Sequence, residues 1–214
     1  MIAFPPSTYF GKRMPKEKFY AHLEVPNSIK QSFVSEMEQI VWKYKLSPAT
    51  INLESGEKVK EIALLEVMLK TQDFNKQLFQ FIDRNISVYV IYLLRFKSEC
   101  RLLVNFKEPI PQRPNAFKVE ECFLTDWMEE DKLVLNLEGL NLDALYESFV
   151  RQVAGERLSV SAPDVELKES ITKAKAVQKI ERKVTQLETR RRNEKQFNKQ
   201  IEIAEQIKKL KELL

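Results

Sequence analysis

Residues 87–96 read SVYVIYLLRF, a run dense in β-branched and aromatic side chains that predicts a buried strand. Upstream, residues 59–70 are apolar at nearly every position from 62 to 69, which is typical of a strand covered on both faces. Downstream, Lys97 and Ser98 form a turn signal that leads into residues 99–106, and this arrangement predicts a hairpin. These three strands place a sheet at the centre of the fold.

Segments with apolar residues three and four positions apart predict helices beside this sheet. They are residues 27–44, 73–85 and 141–157. Residues 117–124 predict another strand, with shorter strands at 50–53 and 133–137. The order of these elements predicts an α+β domain over residues 27–158, with a mixed central sheet and flanking helices.

Two segments flank this domain before the tail begins. Residues 1–26 form a proline-rich and aromatic arm, in which proline blocks a long helix. We expect its aromatic residues to anchor the arm on the domain, although a basic and aromatic segment also suits stacking on single-stranded nucleic acid. Residues 159–163 are predicted to be a linker.

Residues 164–214 predict a long, basic, coiled-coil-like helix, because no Gly or Pro follows Pro163. This tail has 14 basic and 9 acidic residues, a net charge of +5, whereas the rest of the chain carries −1. Apolar residues recur along it at alternating steps of three and four. The predicted partner-binding seam includes Ile180, Val184, Leu187, Ile201, Ile207 and Leu210.

A helix with such a seam must pair with another helix. The pairing helix could belong to a second copy of the chain, to a different protein, or to the tail itself folded back near residues 190–196. The seam is interrupted there by the basic residues Arg190, Arg191, Arg192 and Lys195. This cluster is the candidate nucleic-acid-binding site, with a solvated stretch of helix as the alternative.

The residue inventory argues against several classes of chemistry. The four glycines form no phosphate-binding loop, which makes ATP-driven activity improbable. With Cys100, Cys122 and His22 as the whole Cys/His complement, the chain lacks the ligands of a structural zinc site and the cysteines of a disulfide framework. We therefore predict no cofactor and no structural metal.

The enzymatic alternative is a divergent Mg²⁺-dependent nuclease of the PD-(D/E)xK kind, built on a degenerate restriction-endonuclease-like core. Its candidate carboxylates are Glu36, Glu66 and Asp83. The pattern requires a lysine two residues after the strand glutamate, and Met68 stands there instead. This departure makes a non-catalytic protein the leading hypothesis.

The ends of the chain and its hydropathy bear on where the protein acts. The first residues show no basic segment followed by a long apolar run, so no signal peptide is predicted. The most apolar window, at residues 88–96, is far shorter than the roughly 20 residues that a membrane span needs. We expect a cytoplasmic protein with no membrane association.

Several stretches together resemble a bacterial family of unknown function. They are KRMPK at 12–16 with KFY at 18–20, LSPATINL at 46–53, TDW at 125–127, LEGLNLD at 137–143 and EKQFNKQ at 194–200. Members of this family look to be encoded beside DNA methyltransferases and restriction-type or Swi/Snf-type helicases. The resemblance covers nearly the whole chain. It implies a restriction-like or phage-defence setting, and it supplies no catalytic residue.

The leading hypothesis is therefore a non-catalytic accessory subunit of a bacterial restriction-modification-associated or phage-defence complex. Residues 164–214 would dock a helicase or DNA methyltransferase partner, and the α+β domain would bind protein or DNA. The alternatives are the Mg²⁺-dependent nuclease and a homodimeric coiled-coil scaffold formed through the tail.

Overall fold

The computed structural model of the chain describes residues 2–20, 23–111, 113, 116–158 and 165–213. Its internal contacts divide the chain into two units, Met1–Gly155 and Glu156–Leu214, and each is described by itself. His22 and the predicted linker at 159–163 lie outside the described residues.

The first unit is built around a mixed β-sheet. Among its described residues the strands are β1 Tyr9–Met14, β2 Met37–Leu46, β3 Ile62–Leu69, β4 Tyr89–Phe96, β5 Glu99–Pro109, β6 Phe117–Leu124 and β7 Met128–Glu129. The α-helices described there are α1 Asn27–Ser35, α2 Lys76–Arg84 and α3 Leu142–Ala154. This architecture confirms the predicted α+β class with a mixed sheet and flanking helices.

The strands lie in the spatial order β1-β2-β3-β4-β5-β6, and β7 pairs with the start of β5. The β3–β4 pair is parallel, and α2 connects these two strands. The other neighbouring pairs along that order are antiparallel. The parallel pair requires a crossover connection, and the helical segment between the two strands supplies it.

Alternating residues of β3 separate the two faces of the sheet. Ala63, Leu65 and Val67 pack into one core with residues of α1 and α2, including Phe33 and Phe79. The intervening β3 residues point to the opposite face. Helix α3 lies against β5 and β6 and buries an apolar stripe of its own. Both faces of the sheet are thus covered, as the unbroken apolar run predicts.

The predicted helix over residues 27–44 is wrong beyond its second turn. Helix α1 ends at Ser35, and the following residues form β2, which pairs with β1 on one side and β3 on the other. Ile29 and Phe33 do form the buried face of α1, whereas Ile40 enters the same core from a strand. The spacing fits both structures, and pairing with two neighbouring strands decides between them.

Other expectations need smaller corrections. Residues 50–53 and 133–137, both predicted as short strands, are not strands in the structure. The helices expected at 73–85 and 141–157 are found at Lys76–Arg84 and Leu142–Ala154, each capped at its start by an asparagine side chain. Residues 99–106 and 117–124 form strands as predicted.

The N-terminal arm belongs to the sheet rather than standing apart from it. Its residues Tyr9–Met14 form β1 at one edge, opposite β2. The Phe4 ring contacts the rings of Tyr44 and Phe149, and Phe19 is buried beside Phe33. The expectation that aromatic side chains anchor the arm is therefore confirmed for Phe4 and Phe19, whereas Tyr9 and Phe10 are exposed.

The second unit contains a helical hairpin. Helix α4 spans Leu167–Asn193, residues 194–196 form a short connection, and helix α5 spans Phe197–Lys211 and packs back on α4. The tail is thus not one continuous helix. Its break falls at the predicted interruption, and the structure shows the fold-back among the three pairings considered. In the described part of the chain, no helix is long and apolar enough to cross a membrane.

Candidate functional site

Glu66, the central carboxylate of the nuclease hypothesis, lies in the middle of β3 within an ion-pair network. Its Oε1 is 2.8 Å from Lys43 Nζ on β2 and 2.5 Å from Arg95 Nε on β4. Arg95 also donates to both carboxylate oxygens of Glu130, at 2.9 and 2.6 Å. A metal ion at Glu66 would be repelled by the positive charges of Lys43 and Arg95. The carboxylate is therefore an ion-pair partner of these two side chains rather than a metal ligand.

The electrostatics of this network follow from its geometry. Partial burial by itself raises the pKa of Glu66, but the hydrogen bonds from Lys43 and Arg95 outweigh it and lower that pKa below its ordinary value. The Arg95 bonds also lower the pKa of Glu130. The network therefore keeps both carboxylates ionised and holds β2, β3 and β4 together on this face.

Glu36 has a structural position at the end of α1. Its carboxylate accepts the backbone N–H of Asn75 at 2.7 Å, and its carbonyl accepts the N–H of Lys70 at 2.8 Å. Asn75 in turn caps the start of α2 by accepting the N–H of Gln77. Glu36 thus connects the end of one helix to the start of the next.

Asp83, the third predicted carboxylate, is fully buried on α2. Its Oδ2 accepts Asn105 Nδ2 at 2.7 Å, and its Oδ1 is 3.4 Å from Lys107 Nζ. Burial raises the pKa of Asp83 to about 6, although Lys107 and Asn105 favour the ionised form. Within the described residues, no three His, Cys, Asp or Glu side chains form a group that could hold a metal ion. The structure therefore does not bring Glu36, Glu66 and Asp83 together.

Lys107 was not among the candidate site residues predicted from the sequence. Its side chain is buried, and Nζ donates to the carbonyl oxygens of Asp83, Ile86 and Val88 at 3.0, 2.7 and 2.8 Å. The ammonium group also lies 4.3 Å from the centre of the Phe117 ring. Lys107 thereby fixes the chain that leaves α2 to strand β5. The available sequence clue was a lysine directly after the largely apolar stretch LLVNF at residues 102–106.

We call the paired apolar residues of α4 and α5 the hairpin seam. Val184, Ile203 and Ile207 are its buried members, with Ile180, Leu187 and Leu210 packed against them. Lys211 and Glu188 form an ion pair beside it at 2.9 Å. Five of the six predicted seam residues thus pair within the chain. Ile203 takes the place of Ile201, which is 45% exposed.

The predicted basic cluster lies at the turn of the hairpin. Arg190, Arg191 and Arg192 occupy the last turn of α4, Lys195 lies in the connection, and Phe197 begins α5. These five residues, which we call the hairpin tip, are all exposed, Phe197 by 72%. The tip thus combines four cations with one aromatic ring.

The connection itself has a defined structure. The Glu194 carboxylate accepts the backbone N–H groups of Gln196 and Lys195 at 3.0 and 2.9 Å, and the first of these bonds chiefly lowers its pKa. Gln200 Nε2 donates back to the Glu194 carbonyl at 2.6 Å. These bonds end α4 and start α5, so they set the direction in which the tip residues point.

Two stretches that carry the family resemblance meet in the first unit. The chain just after residues 46–53 pairs with residues 137–143 through a bridge between Glu54 and Asn141. Asp143 then accepts the backbone N–H groups of Glu57 at 2.6 Å and Val59 at 2.7 Å. These motifs therefore hold a loop against the start of α3, which is a structural role.

Comparisons with known proteins define the family. A family model described as "Domain of unknown function (DUF4391)" matches residues 2–214. Neither the curated proteins nor the solved structures give a match to this chain.

Proposed function

We propose that this chain, which belongs to the DUF4391 family of domains of unknown function, is an accessory subunit that docks a larger protein partner through the tip of its C-terminal hairpin. The partner is a helicase or a DNA methyltransferase of a bacterial restriction-like or anti-phage defence complex acting in the cytoplasm. The observation that supports this proposal most directly is an exposed apolar surface that begins at Phe197 in the hairpin tip and continues to Ile201 on α5.

That surface consists of Phe197 and Ile201, which are 72% and 45% exposed. Because they lie four residues apart on α5, their side chains are neighbours on one face of the helix. The hairpin seam uses a different face, that of Ile203 and Ile207. Phe197 and Ile201 are therefore available to a partner without opening the hairpin.

The charge around these two residues indicates what the partner offers. Arg190, Arg191, Arg192 and Lys195 precede Phe197 in the sequence and are exposed like it, so the end of the hairpin that carries the aromatic ring is positively charged. An apolar anchor inside a charged rim is typical of a protein interface, where aromatic residues and arginine supply most of the binding energy. The complementary surface is an apolar pocket with an acidic rim.

The choice of partner rests on the family resemblance. The chain resembles proteins that look to be encoded beside methyltransferases and helicases, which are large enzymes that act on DNA. A small subunit with an exposed anchor suits attachment to such an enzyme. The proposal assigns the enzymatic step to the partner.

The test is binding of the full chain to the helicase and to the methyltransferase encoded beside its own gene. Replacing Phe197 and Ile201 together with serine should weaken binding by about 30-fold or more, the size expected for a pair of anchors. The control is Leu213→Ser, which alters a residue that is 68% exposed and lies outside the tip. Far-UV circular dichroism should show equal helix content in all three proteins.

Three results would contradict the proposal. Binding that survives the double serine variant would place the interface elsewhere. A self-association that depends on Phe197 and Ile201, without binding to either enzyme, would favour the homodimeric scaffold. Mg²⁺-dependent DNA cleavage by the purified chain, abolished by Glu66→Ala, would establish the nuclease alternative.

A further inference from the structure

A second surface of interest lies in the first unit, where the end of β1 meets the start of β2. A groove of about 500 Å³ opens there, and we call it the arm groove. Its lining includes the basic residues Arg13, Lys16 and Lys70 and the acidic residues Glu17 and Glu38. The groove therefore carries an excess of positive charge.

The two lysines are held in place by backbone carbonyls at the end of α1 and at the start of β2. Lys16 Nζ donates to the carbonyl oxygens of Phe33, at 3.2 Å, and Met37. Lys70 Nζ donates to the carbonyl of Val34 at 2.7 Å. Phe33 and Val34 lie in the last turn of α1, where the carbonyls lack partners within the helix and can accept these bonds. Together with the Met37 carbonyl of β2, they fix both ammonium groups. Each ammonium group has three donors and retains at least one for a ligand.

The positive charges lie close enough to act on one another. Partial burial, and then the charge of Lys70, lower the pKa of Lys16, while Glu17 and Glu38 oppose this effect. In the described part of the chain, the hydrogen-bond partners of the two ammonium groups are carbonyls rather than carboxylates. An anion in the groove would replace repulsion between cations by attraction.

An aromatic surface continues from this groove along β1. The Phe10 ring is 44% exposed and lies 5.0 Å from the Trp42 ring on β2. Lys12 is paired across from Trp42, and Met14, at the groove, is paired with Ile40. Phe10 precedes Met14 by four positions, so the two lie at most about 13 Å apart at the rise of an extended strand, and less where the irregularity between Tyr9 and Lys12 shortens β1. One side of β1 thus presents an aromatic ring, a lysine and then the cationic groove.

We infer that the arm groove and β1 together bind a single strand of nucleic acid. A backbone phosphate occupies the groove between Arg13, Lys16 and Lys70, and a base stacks on Phe10. This arrangement of a cationic track with an aromatic platform is the general mode of single-strand binding.

The separation of the two parts indicates the type of ligand. Phe10 is not among the residues that line the groove, and it lies up to about 13 Å along the strand, so a ligand that uses both must reach from an anionic group in the groove to a base on Phe10. A duplex keeps its bases stacked on each other and offers none to Phe10. The inference concerns the first unit and is independent of docking by the hairpin tip.

The test measures binding of a labelled oligothymidylate of about 16 nucleotides to the full chain. Arg13→Glu should weaken binding about tenfold and reduce the slope of log affinity against log salt by about one. Phe10→Ala should weaken binding at least about fivefold with an unchanged salt slope. Lys70→Gln serves as a second groove variant, because it removes the charge without introducing a new one.

The matched control is Lys118→Glu, which makes the same charge change on β6 at the opposite edge of the sheet. It should bind as the unmodified chain does. Equal or tighter binding to a duplex of the same length would overturn the inference. So would displacement of a small-anion probe by inorganic phosphate without any oligonucleotide binding, and so would a loss of binding caused by Arg191→Glu instead of the groove variants.

Discussion

The sharpest prediction concerns the buried ammonium group of Lys107. Replacing it with methionine keeps the length of the side chain and removes the donor. The three carbonyls of Asp83, Ile86 and Val88 then lose their partner, and the Asp83 carboxylate loses the cation 3.4 Å away. Breaking a buried ion pair by removing one member typically costs about 3–5 kcal/mol.

This loss is a large part of the total free energy of unfolding, because domains of ordinary size are stable by about 5–15 kcal/mol. We expect Lys107→Met to lower the urea midpoint of unfolding at pH 7 by about 2 M, with an unchanged slope. Adding Asp83→Asn to Lys107→Met should restore part of the loss, since no uncompensated charge then remains buried. A decrease in the free energy of unfolding smaller than about 1 kcal/mol in Lys107→Met alone would refute the role assigned to Lys107.

The pH dependence tests the same cluster from the side of Asp83. Burial raises the pKa of this carboxyl from an ordinary 3.8 to about 6, so the folded chain binds its proton more tightly than the unfolded chain. The resulting contribution to stability is complete below pH 3.8 and is lost as the pH rises through 6. Relative to Asp83→Asn, the unmodified chain should therefore lose about 2 kcal/mol of unfolding free energy between pH 4 and pH 7. A difference that does not change with pH would contradict this.

The remaining predictions concern three other sites. Gly56→Ala should lower the unfolding free energy by about 1–3 kcal/mol in urea, because an added Cβ would stand 2.7 Å from the Asp143 backbone nitrogen and nearer still to its carboxylate; an unchanged urea midpoint would refute this. Ile207→Asp should lower the helical signal in far-UV circular dichroism, because it places a charge in the hairpin seam, whereas Leu213→Asp should not. Glu66→Gln should lower the free energy of unfolding at pH 7. This difference from the unmodified chain should vanish as the pH falls through the lowered pKa of Glu66, since protonation removes the same charge from the unmodified carboxyl. A difference that persists at low pH would count against the ion-pair role.

The central strands could be predicted from the sequence because burial on both faces requires an apolar run, whichever strands lie beside them. Residues 62–69 are apolar at almost every position, and they form β3 with both faces covered. Residues 27–44 contain no such apolar run. Its spacing of three and four fitted a helix, while the β2 residues are only partly buried and owe their conformation to pairing with β1 and β3. Secondary structure that depends on neighbours distant in sequence is not encoded in local spacing.

The same limit explains what was missed among the candidate site residues. Glu66 was identified from the sequence as a strand carboxylate, but its ion-pair partners were not. The choice of Lys43 and Arg95 follows from the register of β2, β3 and β4, which pairs Glu66 with Val41 and Leu93. Register depends on the whole sheet. Lys107 lay outside the candidate set because a lone strand lysine is ordinarily exposed.

The fold-back of the tail changes which experiment separates the functional hypotheses. Helix α5 has 15 residues and α4 has 27, so at 1.5 Å per residue they extend about 22 and 40 Å, and the seam can pair over the shorter length alone. Deleting residues 164–214 would remove this seam, the basic cluster and the exposed apolar pair at once, and it would weaken any function of the tail. The double replacement of Phe197 and Ile201 leaves the seam and all four cations in place. A loss of partner binding in that variant therefore isolates the docking surface from both the hairpin fold and the charge of the tail.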